Sequence, residues 1–324
     1  MKAIIYKKYG GPDQFHLGEI NTPVPGKSEL LIRVQAASIN SWDWDLLKGK
    51  PFLVRLLGGL SKPKHQVLGA DIAGIVESVG TDVKSFKPGD AVFGDIAGAG
   101  FGGFAEYVSV PEKLLAKIPE GMSFEQAACL PQAGLLALQG LRYKKPLKSG
   151  QHLLINGAGG AVGTLAIQYA KYIGAIVTAV DKEEKFGTLQ TLGANHLIDY
   201  RKQDYTTMGL QYDYILDVIA HRSAASYQRV LKSPGVFAMI GGSMGGLLIR
   251  MMLFQPLLSL FSRKKMGIMG YRVSREGLDE LAALCLKGIM IPVNDKTFAL
   301  SETAEAFRYY EKGNFKGKIL IKIA

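Results

Sequence analysis

Short apolar segments rich in valine, isoleucine and aromatic residues make up much of the first 118 residues, and glycine, proline or aspartate separates them. This pattern is typical of β-strands. We expect strands over 2–6, 30–38, 71–80, 90–95 and 104–110. The first part of the chain is therefore predicted to be a compact β-rich domain.

The pattern changes after residue 122. Ser123 and Gln126 have the spacing of a capping box, which predicts a helix over about the next twenty residues. From residue 152 onward, apolar strands alternate with helices, which predicts a parallel sheet covered on both faces. The expected strands are 152–156, 175–180, 196–200, 212–218 and 235–242, and the helices between them are 161–173, 183–193 and 223–231.

The last part of the chain predicts helices over 275–287 and 301–311 and a closing strand over 317–323. The most apolar segment, 245–265, contains Arg250, Gln255 and Pro256, so we interpret it as a packed helix rather than a membrane span. The sequence leaves three places open for it: the substrate pocket, a subunit interface or a peripheral contact with a membrane surface.

Composition limits the class of protein. The chain has 324 residues, of which 48% are hydrophobic and 21% charged, as in ordinary globular proteins. The net charge of +11 comes from basic residues scattered along the chain, so nucleic-acid binding is not predicted. Cys129 and Cys285 lie far apart, and the apolar run Ala3–Ile5 is shorter than a signal peptide. Both features favour a reducing compartment, and we predict a cytoplasmic location.

A glycine-rich turn links the strand 152–156 to the helix 161–173. It has the form Ala158-x-Gly160-x-x-Gly163, with alanine at the first position of the dinucleotide-binding pattern. Gly160 lets the backbone approach a pyrophosphate, and Gly163 lets the helix pack on the strand. The first N–H groups of the helix are free to bind phosphate. We therefore predict a nicotinamide dinucleotide site, with a tight structural turn as the alternative.

The residues after the next strand bear on the choice between NADH and NADPH. Asp181 ends that strand, and its carboxylate can accept both ribose hydroxyls of NADH. Lys182 and Lys185 follow at once, and they would attract the 2′-phosphate of NADPH. The charges favour NADPH slightly.

Several motifs carry a family resemblance. "ASINSWD", "GADIAGIVESVG", "FKPGDAVFG", "GFAEYVSV", "LPQAGLLALQGL" and "NGAGGAVGTLAIQYAK" occur in an order that resembles the medium-chain dehydrogenase/reductase superfamily, in its zinc-independent quinone oxidoreductase branch. The resemblance implies an α/β protein with a GroES-like β-barrel catalytic domain and a Rossmann domain. It implies domain boundaries of 1–122, 123–272 and 273–324, with the last segment returning to the catalytic domain. It also implies a homodimer, with 265–271 as an edge strand.

Zinc is not expected. Zinc-dependent members of the superfamily carry a cysteine near the start of the segment matching "ASINSWD" and a His-Glu pair in the segment matching "GADIAG". Ser38 or its neighbours, Ala70 and Asp71 stand there in this chain. The loop 95–104 contains no cysteine, and the five histidines show no paired spacing suited to ligation.

The resemblance also suggests residues near the substrate. Asn40 matches an asparagine that lies near the nicotinamide and substrate, where its amide can donate to a substrate oxygen or hold the ribose. The alternative is a turn asparagine that satisfies its own backbone. Trp42 is a candidate for stacking on a flat substrate, with core packing as the alternative. Phe52 stands where several quinone reductases place a tyrosine, so we name no general acid and expect water to supply the final proton.

The remaining candidates belong to the cofactor site. Leu136 stands where relatives often have a threonine that helps to seat the nicotinamide. Tyr200 is placed beside the adenine, and Lys318 either reaches the cofactor or is a solvated lysine. Ligands of doubly wound sheets lie at the carboxyl ends of the strands. The cofactor-contact candidates are Ala158, Gly159, Gly160, Ala161, Val162, Gly163, Asp181, Lys182, Lys185, Tyr200, Val218, Ile240, Gly241 and Lys318.

Without a Lewis acid, reduction of an electron-poor double bond is easier than oxidation of an alcohol. We therefore expect NAD(P)H-dependent hydride transfer to a small-molecule quinone or α,β-unsaturated carbonyl compound. One alternative is a metal-free NAD(P)-dependent alcohol dehydrogenase. Another is a nucleotide-binding protein with little enzymatic activity, since Phe52 and Leu136 replace expected polar groups.

Overall fold

The computed structural model describes residues 1–242 and 263–324. The predicted helix over 245–265 therefore lies almost entirely outside the described residues. The chain forms two compact units. Unit 1 consists of Met1–Gln132, Val273–Gly288 and Pro292–Ala324, and unit 2 consists of Ala133–Arg272 and Ile289–Ile291.

Fifteen strands lie within the described ranges. They are β1 (Lys2–Ile5), β2 (His16–Glu19), β3 (Glu29–Ser38), β4 (Asp71–Val79), β5 (Ala91–Asp95), β6 (Tyr107–Pro111), β7 (Leu115–Lys117), β8 (His152–Asn156), β9 (Ile176–Asp181), β10 (His196–Asp199), β11 (Tyr212–Asp217), β12 (Leu231–Met239), β13 (Lys265–Ile268), β14 (Asn294–Ala299) and β15 (Lys318–Lys322).

The α-helices of the same ranges are α1 (Ser41–Lys48), α2 (Leu53–Gly58), α3 (Phe124–Cys129), α4 (Pro131–Leu141), α5 (Ala161–Ile173), α6 (Phe186–Leu192), α7 (Ala224–Val230), α8 (Arg275–Leu286) and α9 (Thr303–Glu311).

The main sheet of unit 1 combines strands from both ends of the chain. Its order is β14-β15-β3-β4-β5-β7, and β6 also pairs with β3. Strand β15 lies antiparallel to β3, so the last residues of the chain complete the sheet that begins at residue 29. The apolar side chains of β3, β4 and β15 are buried in one core together with Phe307 of α9. This is the GroES-like domain expected from the sequence.

The sheet of unit 2 is parallel throughout its described strands. Its order is β10-β9-β8-β11-β12-β13, in which the direction of strand addition reverses between β8 and β11. This is the order of a Rossmann fold, and the reversal marks the point where such sheets bind nucleotides. Strands β8, β9 and β11 are almost fully buried, because helices cover both faces of a parallel sheet.

Some predicted elements differ from the structure. The helix expected after Ser123 is divided into α3 and α4, because Pro131 has no N–H to continue α3 and its fixed φ suits the first turn of a new helix. The strand expected over 104–110 begins only at Tyr107. Helices α1 and α2, and strands β2, β7 and β14, were not predicted.

Among the described residues, no helix has the length and apolar character that crossing a bilayer requires.

Candidate functional site

Three strands of unit 1 bring Asn40, Asp71 and Lys318 together. Ser38, at the end of β3, pairs with Asp71 on β4 and with Leu320 on β15. Because β3 and β15 are antiparallel, the same register places Lys318 opposite Asn40, two residues beyond each partner. The contact therefore joins side chains 278 positions apart in the sequence.

The Lys318 ammonium group binds both neighbours. Its Nζ lies 2.8 Å from Asp71 Oδ2 and 2.5 Å from Asn40 Oδ1, and both charged residues are buried. The other Asp71 oxygen accepts a hydrogen bond from the backbone N–H of Gln132 at 3.1 Å. Because the cation and the carboxylate are paired and hydrogen-bonded, they can remain charged in the interior.

Lys318 also fixes the orientation of the Asn40 amide. An ammonium group can only donate hydrogen bonds, so the amide must present its oxygen to Lys318 and its Nδ2 in the other direction. Asn40 Nδ2 is buried and has no hydrogen-bond partner among the described residues. A buried donor without a partner is costly in a folded protein and suggests a ligand that accepts its hydrogen bond.

Asp43 provides the cap of helix α1. Its two oxygens accept hydrogen bonds from the N–H groups of Asn40, at 2.9 Å, and Gly69, at 2.8 Å. The backbone N–H of Asn40 is therefore satisfied by Asp43. The choice between a site residue and a turn residue for Asn40 stays a prediction. Burial raises the pKa of the Asp43 carboxyl to about 7, although both N–H groups lower it.

The aromatic residues near Asn40 are in different environments. Trp42 is exposed, whereas Trp44 packs in the core against Phe307 and Tyr310. Phe52 is also exposed. The Trp42 ring is therefore accessible for stacking, and that role stays a prediction.

In unit 2 the glycine turn has two positions with different requirements. A Cβ at Gly163 would lie 2.5 Å from Ala158 Cα, so the close packing of α5 on the turn after β8 requires glycine there. A Cβ at Gly160 would meet nothing closer than Gly157 O at 3.6 Å. Since the fold leaves this space open, the missing side chain is available for the approach of a ligand.

Gly160 is also the N-cap of α5, in extended conformation and without a side-chain cap. The first N–H groups of a helix have no partners within the helix, and they bind anions well. Ala161, Val162 and Gly163 supply these groups. The open space beside Gly160 and the N-terminus of α5 therefore fit a pyrophosphate group.

Asp181 holds this turn in place. Its Oδ2 accepts from the N–H of Gly159 at 2.7 Å, and its Oδ1 accepts from the N–H of Lys182 at 2.8 Å. Lys185 Nζ lies 3.5 Å from Oδ1, and both side chains are buried. A Cβ at Gly159 would collide with Lys185 and Asp181, so glycine is required there by the protein itself.

The other cofactor candidates lie at the carboxyl ends of the same parallel strands. Tyr200 follows β10 and is exposed. Val218 follows β11, and Ile240 and Gly241 follow β12; the N–H of Ala220 donates to Gly241 O at 3.0 Å, which holds the two strand ends side by side. Of the cofactor candidates, Lys318 alone belongs to unit 1.

Sequence reasoning missed two polar groups. Asn156 Nδ2, at the end of β8, donates to Asp217 Oδ1, at the end of β11, at 2.8 Å. Burial raises the pKa of the Asp217 carboxyl. The backbone N–H of Gln132 is the second group, and it donates to Asp71 Oδ1. Polar residues that end apolar strands are the signal that could have identified the first pair.

Within residues 1–242 and 263–324, no group of three or more histidine, cysteine, aspartate and glutamate side chains is arranged to hold a metal ion. Ser38 Oγ donates to Ala128 O at 2.7 Å.

Two family models match the chain. The alcohol dehydrogenase GroES-like domain matches residues 26–120, and a model described as zinc-binding dehydrogenase matches residues 192–321. The first match lies in unit 1, and the second extends from unit 2 into the C-terminal part of unit 1.

Similar proteins cover the whole chain. The chloroplastic quinone oxidoreductase QR1 of Triphysaria versicolor is 34% identical over 99% of this chain and 98% of its own length. The chloroplastic NADPH-dependent alkenal/one oxidoreductase of Arabidopsis thaliana is 33% identical over 99% of this chain and 79% of its own length. The structure of Escherichia coli quinone oxidoreductase complexed with NADPH matches with a TM-score of 0.85, 25% identity and full coverage of both chains.

The GroES-like domain, the Rossmann sheet and these full-length matches define one class of protein. The chain belongs to the medium-chain dehydrogenase/reductase superfamily, in its quinone oxidoreductase-like branch. The resemblance found in the sequence motifs is confirmed.

The two glycines of the turn predict opposite effects of substitution. Gly160→Ala leaves thermal stability nearly unchanged but weakens NAD(P)H binding by about tenfold or more, because a methyl group enters the space for the pyrophosphate. Gly163→Ala lowers the free energy of unfolding by about 2 kcal/mol through overpacking. Thermal unfolding and fluorescence titration with NADPH measure both effects.

Gly160→Asp adds charge repulsion and should abolish binding; unchanged affinity would refute the assignment of the turn.

The buried ion pair predicts a large loss of stability when one partner is removed. Lys318→Met lowers the free energy of unfolding by about 3 kcal/mol, because it leaves the Asp71 carboxylate buried and unpaired. The double variant Lys318→Met/Asp71→Asn recovers part of this loss. The control is Lys322→Met, an exposed position on the same strand. Denaturant unfolding checks the ranking, and equal midpoints for Lys318→Met and Lys322→Met would contradict it.

Proposed function

We propose that this protein is an NAD(P)H-dependent oxidoreductase that transfers hydride to a quinone or an α,β-unsaturated carbonyl compound. The observation that carries the proposal is the buried Asn40 Nδ2, a donor whose direction is set by Lys318 and which has no partner within residues 1–242 and 263–324. The names of the similar quinone and alkenal/one oxidoreductases support the same reaction.

Asn40 stabilises the acceptor in this mechanism. NAD(P)H supplies a hydride from the nicotinamide when it is bound. As the acceptor is reduced, negative charge develops on its carbonyl or quinone oxygen. Asn40 Nδ2 donates a hydrogen bond to that oxygen, and a donor already held in place loses little energy in reorganising when the charge forms.

Lys318 acts as a positioning residue. If the Asn40 amide turned over, its NH2 group would face the ammonium, and two donors would meet at the 2.5 Å contact. Asp71 forms an ion pair with Lys318 and keeps the ammonium group in place. The positive charge is directed toward Asn40, so it also polarises the amide and strengthens its N–H as a donor. We assign the final proton to water.

The glycine turn of unit 2 is proposed to bind the dinucleotide. The N–H groups of Ala161, Val162 and Gly163 would hold the pyrophosphate, with Gly160 allowing its approach. Val218, Ile240 and Gly241 end the neighbouring strands at the same edge of the sheet, and Tyr200 is proposed to lie beside the adenine. The complex of the E. coli relative with NADPH supports a nicotinamide cofactor.

We propose NADPH as the preferred cofactor. Both oxygens of Asp181 already accept backbone hydrogen bonds, and Lys185 compensates the carboxylate charge. These contacts reduce the capacity of Asp181 to accept the ribose hydroxyls of NADH. With the Asp181 charge compensated by Lys185, the adjacent Lys182 favours the 2′-phosphate of NADPH.

The reaction is proposed to proceed without zinc. A catalytic zinc site takes about three protein ligands. Ala70 has no ligating atom, and the oxygens of Asp71 accept hydrogen bonds from Lys318 and Gln132. A buried ammonium 2.8 Å from the carboxylate would repel a second cation, so this set of residues does not fit the metal.

Two further proposals concern assembly and location. Strand β13 lies at the edge of the described sheet of unit 2, which supports a homodimer formed through this strand. The cytoplasmic location stays a prediction that depends on the sparse cysteines; the plant relatives compared above are named chloroplastic.

A spectrophotometric assay tests the function. The purified protein is mixed with NADPH or NADH and a panel of quinones, enones and simple ketones, and the absorbance of the reduced nicotinamide is followed. We expect quinones and enones to oxidise NADPH, with a higher kcat/KM than for NADH, and a zinc content far below one ion per chain. Alcohol-dependent reduction of NADP⁺ would instead indicate a metal-free alcohol dehydrogenase. Tight binding without turnover would indicate a nucleotide-binding protein.

Asn40→Asp tests the donor. The carboxylate keeps the size of the side chain and an oxygen for Lys318, but it has no N–H to donate to the acceptor. We expect kcat to fall by about 100-fold, as when one donor to a developing oxyanion is removed. Titration with NADPH should give an unchanged Kd. Asn21→Asp makes the same chemical change at an exposed position of unit 1. Equal kcat in the two variants would remove Asn40 from the mechanism.

A further inference from the structure

A group of large apolar side chains is exposed in and beside helix α2. Phe52, Leu53, Leu56, Leu57 and Leu60 each expose more than half of their surface, from 51% at Leu53 to 67% at Leu57. Single exposed apolar side chains are common on proteins, but five within nine residues form an apolar-rich segment. Such a segment indicates an interaction surface.

The exposure follows from the way α2 packs. Val54 is buried, and a Cβ at Gly58 would lie 2.5 Å from Leu46 Cδ2, so these two positions face the core of unit 1. At 100° per residue, Leu53, Leu56 and Leu57 lie together on a different face of the helix. The core therefore uses one apolar face of α2 and leaves a second apolar face outside.

Basic residues flank the apolar segment on both sides. Lys50 precedes it, Lys62 and Lys64 follow it, and all three are exposed. None of them forms an ion pair with the described residues. No aspartate or glutamate occurs from residue 46 to residue 70. By contrast, Arg55 donates to Gly49 O and stacks on Tyr9, so its side chain is already engaged in contacts within the protein.

We infer that residues 50–64 bind the surface of a membrane that contains anionic lipids. Phe52 and the four leucines enter the boundary between headgroups and acyl chains, and Lys50, Lys62 and Lys64 contact the lipid phosphates. The net charge of +11 adds a longer-range attraction to an anionic surface.

The chemistry of the segment favours lipid over a protein partner. The centres of protein interfaces are enriched in tyrosine, tryptophan, phenylalanine, methionine and arginine, whereas leucine is rare among the residues that dominate binding. The exposed apolar side chains here are four leucines and one phenylalanine, and they carry no hydrogen-bonding group. A bilayer requires no such groups from side chains.

Vesicle sedimentation with the full chain tests this inference. The probes are vesicles of phosphatidylcholine alone and of phosphatidylcholine with about one third phosphatidylglycerol. The protein should sediment with the anionic vesicles and remain in solution with the neutral ones, and added salt should weaken binding because it screens exposed charges. Absence of sedimentation with the anionic vesicles would overturn the inference.

Paired variants locate the surface. Leu56→Ser/Leu57→Ser and Lys62→Gln/Lys64→Gln should each weaken binding to anionic vesicles by about tenfold or more. The matched controls are Leu17→Ser/Leu286→Ser, which changes exposed leucines elsewhere, and Lys144→Gln/Lys145→Gln, which removes the same charge from unit 2. Thermal unfolding checks that every variant is folded.

Two results would contradict the assignment to residues 50–64. Equal losses of vesicle binding in the controls would mean that total charge or apolar content causes the binding. Conversion of a dimer to a monomer by Leu56→Ser/Leu57→Ser, measured by light scattering without vesicles, would mean that a second copy of the chain covers this surface.

Discussion

A buried ammonium group links the two ends of this chain. Lys318 is almost fully buried, and a charge in that position is stable only beside Asp71 and the oxygen of Asn40. The register of β15 against β3 decides whether they meet, since a shift by one residue would turn Lys318 to the other face of the sheet. The direction of the Asn40 donor, and with it the proposed chemistry, depends on this pairing.

The glycine turn of unit 2 is subject to a different constraint. Its backbone, rather than its side chains, has to come close to other groups. Gly159 and Gly163 are required by contacts inside the protein, with Asp181 and Lys185 in one case and with Ala158 in the other. Gly160 has open space instead. The fold therefore needs two of the three glycines, and the third is explained by a ligand. Asp181 holds the turn in place by accepting a hydrogen bond from the Gly159 N–H.

Sequence patterns are enough to predict the larger organisation of the chain. Apolar runs alternating with helices predicted the strands of unit 2, and helix α5 has the bounds expected from its glycines and apolar period. The motif order identified the family, and the family resemblance pointed to Asn40. Local sequence patterns gave the wrong helices in two places. Pro131 divided the long helix, and α1 was missed although Asn40 and Asp43 have the spacing of an N-terminal cap.

Which polar groups meet depends on contacts between distant parts of the chain. No local pattern distinguishes a solvated lysine at a strand start from a buried one, because the difference lies in a partner 247 residues away. The same holds for Leu53, Leu56 and Leu57. Their spacing is that of a core-facing helix, and they are exposed because Val54 and Gly58 are the positions that face the core. Sequence periodicity reports which residues share a face, whereas burial depends on what the rest of the chain places against that face.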